Sequence, residues 1–438
     1  MEEAYMALGQ LVAQANLGAI AAPARQAIDQ GIRVSLLCTL FGIERERWVW
    51  PFQERRNAQG RQGPADMLAG LLAPLGGIGY LGTLGGASDL DPMDPGPSHT
   101  VLPATLAACT ACTLVDATGT PAAGDDDHVG SAVLAGVEAA WRFRSAITGA
   151  RPGLGFHSPG VFGTLAAAAS GARALRLDPQ ACLNALAIAL TRVAGLGINS
   201  AASMIGMTHF GWGASHGLEA ALLASQGWTA SHDFQRGLAT LYDADRVAIE
   251  RLDSAGPLAA AALVFKRYPC NIYLNLLVEM LEEIEEKPVD RIDITLPWVP
   301  HLDCPAPRDL RQARNSAQAV AAIAGSGSAS YAAFSGPPGP WVPTPEAGRL
   351  LPNVRLHMDK AAPTGLRDAR VAVQASRGGS VILERERSMR EMGGWGIEHA
   401  RKLMGSPDPH GSIAALYEGS YMQGFAHLAQ RRHAAAAA

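Results

Sequence analysis

Lysine is scarce in this chain. Of its 36 basic residues only Lys266, Lys287, Lys360 and Lys402 are lysine; the rest are arginine. Alanine is abundant, so the scarcity reads as compositional bias, but it makes each lysine worth inspecting. No basic stripe runs along the chain and the net charge is −4, which argues against nucleic acid as the main partner. No window reaches about 18 apolar residues without a polar break, so no membrane span is expected. The opening Met-Glu-Glu-Ala is acidic and lacks the basic segment of a secretion signal. Cysteine is sparse as well. Cys38, Cys109, Cys112, Cys182, Cys270 and Cys304 are scattered, the pattern of free thiols, and a cytoplasmic protein is expected. Cys109-Thr-Ala-Cys112 has C-x-x-C spacing, but no second pair lies near to complete a zinc or redox site. No internal repeat is visible.

What is present is apolar. Hydrophobic residues make up 48% of 438, enough for a large core and against global disorder. Residues 1 to about 265 read as helices joined by Gly/Pro loops. Leu102 to Asp116 and Val129 to Thr148 carry apolar residues at helical spacing. Asp178-Pro179 reads as an N-cap followed by proline at the first helical position, opening a helix from Gln180 to Ala194. Leu218 to Gln226 reads as another, stopped by Gly227. Small residues dominate these helices, so close packing is expected. After Lys266 the pattern changes. Leu276 to Glu286 is amphipathic, and Val289 to Leu296 alternates as a half-buried strand. Ala317 to Ala324 is helical. Ala369 to Gln374 and Ser380 to Glu384 flank a hairpin at Arg377-Gly-Gly379. Gly325 to Pro345 reads as a loop. From Trp395 helices return, Ile397 to Met404 and Ser412 to Arg431. The expected fold is mainly α: helices over 1–265, a smaller α+β domain at 266–390, and helices again over 391–438.

The most informative stretch runs from Gly155 to Ala168, Gly-Phe-His-Ser-Pro-Gly-Val-Phe-Gly-Thr-Leu-Ala-Ala-Ala. Its glycines and proline break regular structure just ahead of an Ala-rich run. His157 therefore belongs on a loop leading into a buried helix. Imidazole is the side chain most readily used as acid or base near neutral pH. A helix-capping or core histidine is the other reading of the same loop.

Several spaced elements stand out: Gly86-Ala-Ser-Asp-Leu-Asp91 with Val101-Leu-Pro-Ala104; Gly155-Phe-His-Ser158; Ser203-Met204 with His209; Gly217-Leu-Glu-Ala-Ala-Leu-Leu-Ala224; and Phe265-Lys-Arg-Tyr-Pro-Cys270. In order and spacing they resemble the MmgE/PrpD family, cofactor-free lyases related to 2-methylcitrate dehydratase and cis-aconitate decarboxylase. The resemblance implies a helical domain built from both chain ends, an inserted lid domain, an active site between the two and a homodimer. It implies no cofactor and no metal; Pro92, Pro95 and Pro97 also deny Asp89, Asp91 and His99 a known metal-ligand spacing.

By the same resemblance His157 stands at the catalytic histidine and Lys266 at a lysine that binds carboxylate or stabilises charge. Asp89 and Asp91 match acidic residues of the family, Asp89 to orient a histidine or take a proton. His209 matches a histidine after the Ser203-Met204 element, and His301 falls where relatives carry a tyrosine from the lid. Two positions depart from the pattern. Gly206 replaces a lysine, and Gly96 replaces a histidine for which His99 is the nearby candidate substitute. Taken alone, Lys266 also reads as a surface lysine, His209 as a packed core histidine, and Asp89 and Asp91 as helix caps.

The function implied is a dehydratase acting on a β-hydroxy or alkylcitrate-like carboxylic acid, with a place in secondary metabolism expected. A proton leaves next to a carboxylate and hydroxide leaves the adjacent carbon. That chemistry needs a base, an acid and charge for the developing enolate. Loss of the two cationic positions points to a less anionic or bulkier substrate. Decarboxylation or epimerisation shares the enolate-like intermediate, and a non-catalytic binding protein is the third alternative.

Overall fold

The computed structural model describes residues 2–46, 77–90, 92–93, 99–117, 125–148, 155–198, 204–242, 247–253, 258–366, 368–405 and 411–436. The chain forms two compact units, Met1–Leu263 with Gly411–Ala438, and Val264–His410. Among the described residues no helix is long and apolar enough to cross a membrane.

The first unit is helical: α1 (Glu2–Gln14), α2 (Ala22–Arg45), α3 (residues 77–87), α4 (Val101–Ala117), α5 (Asp126–Ala146), α6 (Ser158–Ala174), α7 (Pro179–Leu190), α8 (Thr208–Ser225) and α9 (Phe234–Leu241). The C-terminal segment adds Ser412–Glu418 and Tyr421–Ala436. Local chemistry sets several starts. Asp178 accepts a hydrogen bond from the Ala181 amide at 2.8 Å with Pro179 following it, and Asp125 accepts from the Asp127 amide at 3.0 Å at the head of α5. Each satisfies an amide that the helix cannot.

Helix α6 is the hub, packed by α4, α5, α7 and α8. It can be surrounded because its residues are small, with alanine at 166–169 and glycine at 160, 163 and 171. Its closest partner, α8, meets it through Gly213 and Gly217. A Cβ at Gly217 would stand 2.4 Å from the Thr164 carbonyl oxygen, and one at Gly213 would stand 2.5 Å from that of Pro159. Close backbone approach multiplies dispersion contacts where each side chain offers little area.

In this unit the structure corrects three element readings. Helix α8 begins at Thr208, ten residues before the expected Leu218. Gly211, Gly213 and Gly217 lower local helix propensity, and close packing compensates. Helix α7 ends at Leu190 rather than Ala194, releasing a loop that carries Gly195. The final helix is two, parted at Gly419-Ser420.

The second unit holds α10 (Ile272–Glu282), β1 (Arg291–Pro297), α11 (Ala317–Gly325), β2 (Val354–Asp359), β3 (Arg370–Arg377), β4 (Ser380–Ser388) and α12 (Ile397–Met404). The sheet order is β2-β1-β3-β4, with β1–β2 parallel and the other pairs antiparallel. Ile292, Ile294 and Leu296 of β1 alternate inward; α10 packs on β3, and α11 on β1 and β2. The β3–β4 hairpin turns at Gly378-Gly379, both with positive φ, as the sequence predicts. Strand β2 was not anticipated, because only Val354 of its six residues is buried. The expected loop 325–345 also contains a short helix, Tyr331–Phe334.

Candidate functional site

His157 sits at the N-cap position of α6, where its side chain makes no capping bond. The capping reading therefore fails for the imidazole. The loop ahead of α6 is pinned instead by its backbone. The His157 amide donates to the Gly195 carbonyl at 2.9 Å, and the Gly197 amide donates to that of Gly155, also at 2.9 Å. Phe156 and Leu196 form an isolated antiparallel bridge. A ring anchored at a helix start and a bridged loop has little freedom to drift.

The imidazole turns toward His209, the second residue of α8. The two Nδ1 atoms lie 2.9 Å apart, with ring centroids 5.1 Å apart and planes at 57°. Two lone pairs or two N–H bonds facing each other at that distance would repel. One ring therefore donates an Nδ1–H to the other's lone pair. His209 is buried, at 2% exposure, whereas His157 is half-buried. Burial pushes the His209 pKa below the usual histidine value, which favours its neutral form.

The inner ring is tightly held. Gly195 has φ near +100°, and a Cβ there would lie 2.9 Å from the His209 imidazole. Trp212 lies over His209 at 5.5 Å between centroids, tilted by 33°. His99, half-buried two residues before α4, has its ring 6.1 Å from that of His157 and edge-on to Phe210 at 5.6 Å. The structure thus brings His157, His209 and His99 together. Asp89 is half-buried, with φ 53° after α3. It follows Gly86 by three residues, and a Cβ at Gly86 would touch the Phe210 ring. Met204 is exposed and Gly206 buried in the turn just before α8. Asp91, Ser203 and Gly96 lie outside the described residues.

Lys266 and His301 belong to the second unit. Lys266 is 6% exposed, which overturns its reading as a surface lysine. Its segment is clamped from both sides. The Trp395 indole donates to the Lys266 carbonyl at 2.6 Å. The buried Asn275 side chain accepts from the amides of Arg267 and Tyr268 at 2.7 and 2.8 Å. The Arg267 guanidinium donates to Nδ1 of His399 at 3.0 Å and lies 3.5 Å from the Glu279 carboxylate. The Phe265–Cys270 motif is thus a scaffold that fixes the backbone of one buried lysine. His301 is exposed, with its Nε2 3.4 Å from the Asn271 amide nitrogen.

Sequence reasoning missed Gly195, Phe210, Trp212 and Asn275, whose roles arise from chain segments meeting in space. Gly195-Leu-Gly197 offered the one local hint. His232 bonds Asn184 at 2.7 Å and lines a separate cavity of about 510 Å³ with Tyr5, Gln180 and Asp233. Cys109 and Cys112 are buried on α4 and form no disulfide, and burial pushes the Cys109 thiol well up, away from the reactive thiolate. Among the described residues no cluster of three or more His, Cys, Asp or Glu could hold a metal ion.

The description MmgE/PrpD N-terminal domain matches residues 8–244. The chain is 30% identical over 182 residues to cis-aconitate decarboxylase from Homo sapiens, covering 38% of each chain. It is 30% identical over 183 residues to cis-aconitate decarboxylase from Mus musculus, covering 38% of this chain and 37% of that one. The aligned region spans less than two-fifths of the length of these curated relatives.

Proposed function

The chain belongs to the MmgE/PrpD family, which includes dehydratases and cis-aconitate decarboxylase, and we propose that it is a dehydratase removing water from a β-hydroxy carboxylic acid without a cofactor. The observation that carries this reading is the imidazole pair, His157 and His209 joined Nδ1 to Nδ1 at 2.9 Å with the outer ring half-buried. A neutral His157 takes the proton next to the substrate carboxylate at Nε2. The carbon–hydrogen bond breaks and its electron pair enters the enolate. That pair then forms the carbon–carbon double bond as the β-hydroxyl leaves, protonated by a general acid, and water results. Paired through Nδ1, His157 keeps its tautomer and orientation while it gains and loses charge.

Lys266 is proposed to bind the carboxylate and stabilise the enolate, a task suited to a buried ammonium group. His99, with its ring 6.1 Å from that of His157, is the candidate group for protonating the leaving hydroxyl, and Asp89 is proposed to orient a histidine or take a proton. A homodimer is part of this proposal. Decarboxylation is the second reading, favoured by the likeness to the two cis-aconitate decarboxylases; carbon dioxide would then leave in place of water.

The test is incubation of the purified protein with 3-hydroxy mono-, di- and tricarboxylic acids, followed by mass spectrometry. A loss of about 18 Da that disappears in His157→Ala is expected. A loss of 44 Da would move the protein to the second reading, and no turnover across the panel would overturn both.

A further inference from the structure

Ten large hydrophobic side chains are exposed among the described residues, and five of them lie between positions 196 and 212. They are Leu196 (57% exposed), Ile198 (79%), Met204, Ile205 and Trp212 (44%). Such a concentration exceeds the scatter of single apolar residues expected on a surface. Its position relates it to the histidine pair. Leu196 bridges Phe156, the neighbour of His157. Met204 and Ile205 form the turn before α8. Trp212 lies against His209.

Fixed charge is missing from the same stretches of chain. From Gly155 to Ala172 and from Val193 to Ser215 the sequence contains no Lys, Arg, Asp or Glu. The chain segments that carry both imidazoles therefore offer a substrate apolar surface and no fixed cation. The further carboxylates of a di- or tricarboxylate would lose hydration against these segments without gaining a cation from them. An acid with one carboxylate and an extended hydrocarbon body would lose little and bury its chain.

We propose that the substrate is a 3-hydroxy monocarboxylic acid bearing an extended apolar chain, which lies over Leu196, Ile198, Met204, Ile205 and Trp212 with its reacting carbons at His157. The inference rests on the lyase reading of this site and adds the substrate class.

The test is calorimetric titration of the full chain with 3-hydroxybutyrate, 3-hydroxyhexanoate, 3-hydroxyoctanoate and citrate, with product mass followed in parallel. Affinity is expected to rise about threefold per methylene, with citrate weaker than the octanoate. Trp212→Ala should flatten the series, lowering octanoate affinity about tenfold. Ile198→Ser, at a more exposed position, should act in the same direction and guards against misfolding of the tryptophan variant. A flat series, or citrate binding tightest, overturns the proposal. So does sedimentation showing that Trp212→Ala splits a dimer into monomers, since a second copy of the chain would then cover this face. The two readings fail separately: chain-length-dependent binding with no change in product mass sinks the lyase and keeps the apolar site, while turnover without chain preference does the reverse.

Discussion

The Nδ1 atoms of His157 and His209 are 2.9 Å apart, joining a half-buried ring on a helix-capping loop to a buried ring on the neighbouring helix. A single proton lies between them. At neutral pH one ring must therefore carry its proton on Nδ1, the less common tautomer of free histidine. Nitrogen-15 spectra of histidine-labelled protein should show one Nδ1–H ring coupled to one with a bare Nδ1. His209→Phe should remove that coupling. Two Nε2–H tautomers in the unsubstituted protein would show that the pair is not formed.

Gly195 leaves no room for an added methyl group beside the histidine pair. Its Cβ would meet the His209 ring at 2.9 Å, and its φ near +100° strains any L side chain. Gly195→Ala should lower turnover at least about tenfold through misplacement of the pair, and the same spectra should show the histidine coupling lost. Normal turnover with an intact coupling would contradict this geometry.

Packing of α6 against α8 gives a stability prediction independent of catalysis. Gly217→Ala puts a methyl 2.4 Å from the Thr164 carbonyl oxygen and 2.5 Å from the Ala167 Cβ. Backbone cannot yield as a flexible side chain can, so a loss of about 1–3 kcal/mol is expected from overpacking. Denaturant melts check it, and an unchanged midpoint would mean that the helices are farther apart.

Asn275 supports Lys266 through two amides. Asn275→Ala strands the N–H groups of Arg267 and Tyr268, which now donate to its side-chain oxygen. Each orphaned buried donor costs about 1–3 kcal/mol. A destabilisation of about 2–4 kcal/mol is expected by chemical denaturation, together with a raised KM as the Lys266 backbone loosens.

His399 sets a pH dependence of stability. Burial, then the Arg267 charge, lowers its pKa from 6.5 to about 4. Its Nδ1 accepts from Arg267 while its Nε2–H donates to the Arg267 carbonyl at 2.9 Å, so the neutral ring is the one bonded. The unfolded chain binds a proton here below about 6.5 and the folded chain does not. This contribution is therefore present at pH 7 and lost as pH falls from about 6.5 toward 4. Glu279 acts with the opposite sign, because burial raises its carboxyl pKa. Comparing unfolding free energies of the protein and His399→Gln at pH 7.5 and 4.5 isolates the histidine, and the variant should lose less stability on acidification.

Much of this was legible in sequence where chemistry is local. Glycines and a proline mark the loop of His157, Asp178-Pro179 marks the start of α7, and two glycines mark the β3–β4 turn. The rest depends on meetings in space. The glycines of α8 hide a helix because its stability comes from contact with α6 rather than from propensity. Strand β2 hides because it buries one residue. Gly195-Leu-Gly197 hints at a special loop but not that it encloses His209, nothing near Trp212 announces its place over that ring, and nothing near Asn275 announces that it holds the segment of Lys266.

In the proposed reaction His157 removes the proton next to the substrate carboxylate. The direct test is to incubate the 3-hydroxy acid that turns over in deuterium oxide, comparing the protein with His157→Gln. Deuterium should enter recovered substrate at the carbon next to the carboxylate, alongside the dehydrated product, and both should disappear in the variant. Exchange and product formation persisting in His157→Gln would contradict the account.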